Sequence, residues 1–387
     1  MKLLYVATDQ RVPGKTGGSV HVEEVARGLA ARGHEVHVLA LPGERRTNGA
    51  VVPYELHPSR LPFEHRFFRW TARRQVETLV ERLGVDALME RYYNFGGEGV
   101  RAAYACGIPS LLEVNSPIKD HPGSLKSALD RALLFRPLSR IREELVSKAS
   151  GLLTPLPSIV PGAVPVEKVH RVHWGANVER FRPDVARKRL PIPDKAKVVV
   201  FSGSFRPWHG ADLLVRAGAK VLSRDPDAFF LFVGSGPAWD ETRLLAQKLG
   251  IENAVLFTGP VAYDEMPAYL RAARVGVAPY HPSRLRQMKL GFYWSPLKIF
   301  EYMATALPVV SLDVPPLAEV VRPEQEGLLV AEGDEEGLAA AIERLIADPV
   351  RARSMGEAGR ERVVAHFSWQ RHCEQLEGIL STLVSKR

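Results

Sequence analysis

The chain has 387 residues, 45% of them apolar and 25% charged, with a net charge of +8, which is the composition of a folded globular protein and not of a disordered or fibrous one. That length exceeds one ordinary domain and suits two of about 190 residues. No run of eighteen apolar residues offers a membrane span, MKLLYVAT is too short for a secretory leader, and Cys106 and Cys373 fit neither a metal site nor a disulfide framework, so a reducing cytoplasm is the expected setting.

The charge is uneven. Residues 1–190 carry 29 Lys+Arg against 20 Asp+Glu, a net +9, whereas the remainder carry 23 against 24. The N-terminal half therefore meets something anionic or is simply well solvated.

Leu3–Thr8 and Glu35–Ala40 are short apolar runs, with Gly18–Arg32 between them at helical spacing. Val22, Val25, Ala26, Leu29 and Ala30 make one stripe and Gly33 is a sound helix stop, so the segment predicts strand–helix–strand and the start of a parallel sheet. Gly14, Gly17 and Gly18 precede the helix, where small residues let backbone approach a phosphate or sugar; without a G-x-G-x-x-G such glycines more often mark a turn.

Pro58–Leu83 differs from its surroundings. Phe63, Phe67 and Trp70 begin an apolar stripe that Val76, Leu79, Val80 and Leu83 continue, while Arg66, Arg69 and Arg73 share another face with Arg74 beside it. A basic amphipathic helix of this kind suits an anionic membrane surface; the plainer alternative is a helix packed on the sheet with its arginines solvated. Asp86–Glu90 and Ile108–Val114 read as further strands, the second ending at Asn115. Ligands bind beyond the carboxyl ends of strands in open parallel sheets. Glu90, Glu113 and His121 are ionisable candidates there, each equally explained by structural pairing. Leu129–Ala149 predicts one long basic helix, Leu152–Thr154 and Val169–Val172 predict short strands, and a domain boundary is expected near residue 185.

The second half restarts the alternation, with strands expected at Val198–Phe201, Phe229–Val233, Val255–Phe257, Val275–Ala278 and Gly327–Val330. Glycine near successive strand ends, at 203, 234 and 259, lets backbone approach a nucleotide. The stretch WSPLKIFEYMATALPVVSLD (Trp294–Asp313) carries the strongest signal. Ser295-Pro296 suits a helix start, Leu297–Ala304 reads as helix, and Pro308 stops it ahead of the strand at Val309-Val310. The helix start at Ser295, Pro296 and Leu297, with its unpaired N–H groups, suits a phosphate, and Glu301, one turn in, suits a ribose hydroxyl. The alternative is a capped helix with a solvated Lys298–Glu301 pair.

This stretch resembles the donor-binding motif of the family-four retaining glycosyltransferases, in the variant SPLK-x-x-EYMA. Tyr293 stands where the motif has its first Glu, and Ala306 where it usually has Gly. RGHEVHV, WGAN with Asn177 on the usual Asp, and the combination of ERYYNFG with LLEVNSP extend the likeness over nearly the whole chain. The resemblance implies an α/β fold of two Rossmann-like domains facing across a cleft (GT-B), expected at 1–185 and 186–367, with a helix at 368–387 returning to the first. It implies transfer of a sugar from a nucleoside diphosphate, UDP ahead of GDP or ADP, to an acceptor hydroxyl with retention. The leaving diphosphate would lie over Gly17 and Gly18 and at Gly203 and Ser204, facing Arg206, His209 and Lys298. Here Ser204 and His209 replace the Arg and Lys of the family's loop, which raises the importance of Arg206 and Lys298. Thr258, Gly259 and Val261 would meet the base, Glu301 the ribose, and Asn115, in place of a common His, the sugar. The scheme needs no metal and no cofactor. Expected partners are the nucleotide sugar and an acceptor, lipid-linked if Phe63–Arg74 touches a membrane's inner face, and no nucleic acid. The rival readings are a nucleotide-sugar epimerase or non-glycosidic coupling enzyme of the same fold, and a non-enzymatic anionic-surface-binding protein.

Overall fold

A computed structural model describes residues 1–14, 16–43, 52–60, 66–92, 96–118, 123–134, 137–285, 292–293 and 295–386, with backbone alone at 66–68, 125–126 and 137. Contacts divide the chain into two units, Met1–Trp174 with Tyr293–Ser295 and Trp369–Arg387, and Gly175–Phe292 with Pro296–Ser368. The division precedes the proline-flanked basic stretch near 185, because residues after Trp174 attach to the second unit. Arg180 lies over Tyr263 at 5.0 Å, and Lys188 donates its N–H to Ala268 and its ammonium to Glu265 at 2.9 and 2.8 Å.

The first unit is a seven-stranded parallel sheet in the order β3-β2-β1-β4-β5-β6-β7. Its strands are β1 (Lys2–Val12), β2 (Glu35–Pro42), β3 (Glu55–Pro58), β4 (Ala87–Tyr92), β5 (Ser110–Val114), β6 (Gly151–Thr154) and β7 (Val169–Arg171). Leu3 to Thr8 are buried on both faces, as a parallel sheet covered by helices requires. Helix α1 (Gly17–Ala31) starts at Thr16, whose hydroxyl accepts from the Ser19 N–H, and ends before Gly33 at φ 86°. Between β3 and β4 runs α2 (Arg73–Leu83), and α3 (Glu98–Ala105) leads into β5.

Two expectations fail here. The predicted helix Leu129–Ala149 is two, α4 (Leu125–Ala132) and α5 (Pro137–Lys148), because the chain turns left-handed at Leu134 (φ 55°) and the Asp130 carboxylate accepts from the N–H groups of Leu138 and Ser139. Arg69 does not share a solvated face with Arg73. Residues 66–72 form a 3-10 helix, whose three-residue repeat stacks Arg69 and Ala72 inward while Trp70 is 61% exposed. The Arg69 guanidinium is fully buried and donates to Thr8 Oγ1 and Glu98 Oε1, both at 2.9 Å, to the Arg91 carbonyl at 2.9 Å, and to Glu90 Oε1 at 3.3 Å. Phe63 and the side chains of Arg66 and Phe67 lie outside the described residues, as does His121.

The second unit is a six-stranded parallel sheet in the order β10-β9-β8-β11-β12-β13. It is built from β8 (Lys197–Ser202), α6 (Ala211–Arg224), β9 (Ala228–Val233), α7 (Trp239–Lys248), β10 (Val255–Gly259), α8 (Met266–Leu270), β11 (Val275–Ala278), α9 (Leu297–Ala304), β12 (Val309–Leu312), α10 (Pro315–Ala318), β13 (Gly327–Val330), α11 (Glu335–Ala347) and α12 (Pro349–His366). Val199, Phe201, Phe230, Phe232, Val275 and Val277 share one face of the sheet and form a core with α6, α7, α11 and α12. The strand order reverses between β8 and β11, where open α/β sheets place their ligand crevice. Helix α13 (Trp369–Ser385) belongs to the first unit, where Cys373 fills the space beside Gly28 of α1 and Glu377 accepts from Arg32 at 2.6 Å. Among the described residues no helix is long and apolar enough to cross a membrane.

Candidate functional site

At the carboxyl ends of β8, β9 and β10 the backbone segments touch without side chains between them. Gly234 (φ 128°) donates its N–H to Gly259 at 2.9 Å, and a Cβ on Gly234 would overlap the Gly203 carbonyl. Gly203 (φ 111°) takes a conformation that L side chains rarely adopt, and a Cβ there would sit 3.5–3.6 Å from the end of the Lys298 side chain. The loop from Gly203 to Gly210 is pinned to the end of β11, since Gly210 (φ 70°) presses on the Pro279 carbonyl and Trp208 accepts from the His281 N–H at 2.9 Å. Ser204 and Arg206 are exposed, and the Arg206 guanidinium lies 5.7 Å from the Trp208 ring. Thr258 is turned back onto the Gly259 carbonyl at 2.9 Å, and Val261 is half-buried just beyond it.

Helix α9 spans the predicted residues Leu297–Ala304, but Ser295 does not cap it. The N-cap is Pro296, no side chain among the described residues accepts from the first turn, and the Ser295 hydroxyl instead accepts from the Trp174 N–H at 3.2 Å. The Ile299 N–H donates to the Pro296 carbonyl at 2.9 Å, and the N–H groups of Leu297 and Lys298 are left to a ligand or solvent. Nor is the Lys298–Glu301 pair a solvated one, because every residue from Lys298 to Ala304 is buried, Lys298 at 7% and Glu301 at 8% exposure. Tyr302 holds the helix in place: its hydroxyl accepts from the Ser202 N–H at 2.8 Å, and its ring occupies the room left by Gly276. Behind the helix Ala306 adopts φ 56°, a left-handed conformation natural to glycine.

The electrostatics of this unit converge on Lys298. Its Nζ lies 4.0 Å from the centre of the Phe201 ring and 5.3 Å from that of Tyr280, with no hydrogen-bond partner among the described residues. Burial pushes the ammonium down to about 7, against the opposing pull of Glu301. His209 is held well below its ordinary value by burial and by the charges of Lys298 and Arg206. A carbonyl can only accept, so the contact between His209 Nδ1 and the Ser204 carbonyl at 2.5 Å places the hydrogen on Nδ1. The arrangement is a concentrated positive field that an anion would relieve.

In the first unit Gly17 is exposed at the start of α1 and Gly18 is packed against the Gln10 amide. Asn115 donates from Nδ2 to Glu113 Oε1 at 2.6 Å. Glu113 also accepts from Tyr5 at 2.5 Å and Arg91 at 3.1 Å, and His21 Nε2 lies 2.8 Å away. Burial would raise this carboxyl, but neighbouring charge and hydrogen bonds hold it well below the usual range. Burial pushes the His21 ring down, so the permanent charge of Arg91 is the dependable part of that pairing. Glu90 and Glu113 are thus structural pairs, as their residue types also allowed. His21, stacked on Trp174 at 4.1 Å and edge-on to Trp369 at 5.2 Å, went unread in the sequence. A histidine inside the apolar stripe of α1 was the available signal.

Residues 16–175 match the family model described as a glycosyl transferase 4-like domain, and residues 196–348 match glycosyl transferases group 1. A D-inositol 3-phosphate glycosyltransferase of Acidothermus cellulolyticus is 29% identical over 97% of this chain and 87% of its own length. A GDP-mannose-dependent alpha-(1-6)-phosphatidylinositol monomannoside mannosyltransferase of Mycobacterium tuberculosis is 33% identical over 53% of this chain and 54% of its own. Among solved structures, sucrose-phosphate synthase from Thermosynechococcus elongatus superposes with a TM-score of 0.75 at 23% identity, covering 100% of both chains. Anabaena Alr3699/HepE in complex with UDP gives 0.74 at 17% identity, covering 99% of this chain and 100% of that one. At these identities the solved structures establish the fold alone.

Proposed function

The chain belongs to the group 1 glycosyltransferases and has their GT-B fold, and on that premise we propose that it moves a hexose-type sugar from a nucleoside diphosphate to an acceptor hydroxyl with retention. The buried Lys298 ammonium, without a hydrogen-bond partner among the described residues and set beside Gly203 and the start of α9, carries this reading. The diphosphate sits at that helix end, with Arg206 and His209 completing its neutralisation. As the acceptor oxygen bonds to the anomeric carbon, the bond from that carbon to the diphosphate oxygen breaks, and the departing diphosphate takes the acceptor's proton. Positive groups fixed where that charge develops are what the step requires. Asn115 is assigned a sugar hydroxyl, and Gly17, Gly18, Gly203 and Ser204 offer backbone to the phosphates. Thr258, Gly259 and Val261 take the base and Glu301 the ribose. Neither a metal nor a cofactor enters this scheme, and UDP is the proposed carrier. The Mycobacterium relative, named for GDP-mannose, makes GDP the competitor to test.

Because Glu301 is buried, glutamine, which keeps its volume, is the informative replacement. Calorimetry with UDP and GDP should show Glu301→Gln binding the better nucleotide roughly 10- to 100-fold more weakly, the value of a charge-assisted hydrogen bond. Inorganic pyrophosphate should bind as before. Unchanged nucleotide affinity would remove the ribose assignment.

We also propose a lipid-linked acceptor, met by the first unit at a membrane's cytoplasmic face. With Arg69 withdrawn into the interior, this rests on exposed Trp70 and on Arg60, Arg74 and Arg82, which line one groove. Each basic residue near an anionic leaflet is worth roughly 1 kcal/mol. Co-sedimentation with anionic liposomes should fall with salt and drop in Trp70→Ser/Arg74→Ser. No sedimentation at low salt would favour a soluble acceptor, the reading that relatives named for D-inositol 3-phosphate suggest.

A further inference from the structure

Strands β2 and β3 pair in parallel with His37 opposite Glu55 and Leu39 opposite His57. Alternate residues of a strand share a face, so His37, Glu55 and His57 emerge together on the side where Leu39 packs with Val76 and Leu79 of α2. His37 and His57 are 3% and 8% exposed, whereas the Glu55 carboxylate opens to solvent.

Their donor atoms crowd together. His37 Nδ1 lies 3.1 Å from His57 Nε2 and 3.3 Å from Glu55 Oε2, the other carboxylate oxygen, Oε1, lies 3.6 Å from His57 Nε2, and one ligand atom from each residue falls within 4.8 Å of the other two. A tetrahedral ion with ligands at roughly 2.0–2.2 Å has ligand-to-ligand edges of about 3.3–3.6 Å, so the two histidine nitrogens and one carboxylate oxygen come close to one face of such a site. Behind it, His37 Nε2 lies 3.0 Å from Glu35 Oε1, which Lys2 approaches at 3.2 Å. A carboxylate can only accept, so Nε2 carries the hydrogen and His37 Nδ1 turns its lone pair toward His57 and Glu55. That lone pair and a carboxylate oxygen confront each other, and a proton on His57 can answer only one of them. A cation between the three answers all of them. The carboxylate behind the histidine is the outer-shell partner that metal-bound histidines ordinarily have.

We propose that His37, Glu55 and His57 bind a divalent cation of the zinc class, with three protein ligands and a fourth position for water or an anion. None of these residues is in the donor-binding set. The ion would fasten the four-residue edge strand β3 to β2. His57 also lines a groove of about 410 Å³ with Arg60, Arg74, Gln75 and Arg82, so an anion is the fitting fourth ligand.

Titration of the tag-free, chelator-treated full chain with Co²⁺, followed by visible absorption and then displacement by Zn²⁺, tests the site. One equivalent should bind with the spectrum of a four-coordinate nitrogen and oxygen site, and the melting temperature should rise with metal. His57→Gln and Glu55→Gln should abolish that spectrum. Glu35→Gln should weaken binding roughly 10- to 100-fold, an effect that simple side-chain pairing would not produce. Glu55 is exposed, so Glu55→Gln remains decisive even if a histidine variant fails to fold. Wild-type affinity and spectrum in Glu55→Gln, or no saturable binding by the wild type, would overturn the assignment.

Discussion

Arg69→Met should lower the stability of the first unit by about 3–5 kcal/mol, the usual result of removing one partner from a buried ion pair. Among the described residues Arg69 is the cation paired with both Glu90 and Glu98, and all three are fully buried. Burial and the neighbouring Glu98 already push Glu90 upward, against the pull of Arg69 and of the Gly97 and Val100 N–H groups. Without the guanidinium, two carboxyl groups face each other in a medium that tolerates neither charge. The pH dependence has a definite sign. A carboxyl raised in the native state makes the folded chain hold more protons than the unfolded one, so stability falls as pH rises from the ordinary glutamate range toward the raised value. Arg69→Met should extend that fall to higher pH. Urea unfolding at several pH values measures both effects, and Glu98→Gln added to Arg69→Met should recover part of the loss. A cost under about 1 kcal/mol, typical of exposed pairs, would contradict the buried arrangement.

Lys298→Ala should reduce turnover by about 10²–10³-fold, the effect of deleting one preorganised charge-stabilising group, while leaving the fold intact. Among the described residues the ammonium has no hydrogen-bond partner to orphan. Its ionisation supplies a second, independent reading. Burial holds Lys298 near 7, and an arriving diphosphate would raise it, so binding above that pH must take up a proton. Affinity for the nucleoside diphosphate therefore declines as pH rises above about 7. Lys298→Ala should lose that slope and keep only the lower one due to His209, whose depressed imidazole protonates under the same field. Stability runs the other way: a lysine depressed in the native state makes the unfolded chain the better proton binder, so this group's contribution rises with pH from about 7 to the ordinary lysine value. Calorimetry in buffers of different ionisation enthalpy counts the protons. Equal uptake by both proteins would place the titrating group elsewhere.

What could be read without the structure follows a physical line. Helix α9 was legible because Pro296 and Pro308 bracket a short apolar segment, and its range is the predicted one. The alternation of strands was legible because parallel strands are apolar on both faces. Side-chain direction was not. Arg69 points inward because a 3-10 turn has a shorter repeat than the helix its stripe suggested, and Lys298 and Glu301 looked solvated because their spacing suits a surface pair. His37 and His57 come together through strand register, and His21 meets Trp174 and Trp369 across more than a hundred residues of chain. Neither contact leaves a local pattern, although the place of His21 inside an apolar stripe marks that residue.

Ala306, at the close of α9, carries a cost of its own. A left-handed alanine is disfavoured by roughly 1–2 kcal/mol, set against a total of about 5–15 kcal/mol for a typical folded protein. Natural proteins are held above a threshold and not at an optimum. A lineage can therefore give up a glycine at this turn and survive, provided the rest of the molecule has reserve. The exchange is one-sided: the partner position cannot follow, since a Cβ at Gly356 would overlap the Ala306 carbonyl. The turn behind the proposed phosphate helix is thus a place where heritable robustness, and with it tolerance for new mutations elsewhere, can be gained by losing a single methyl group.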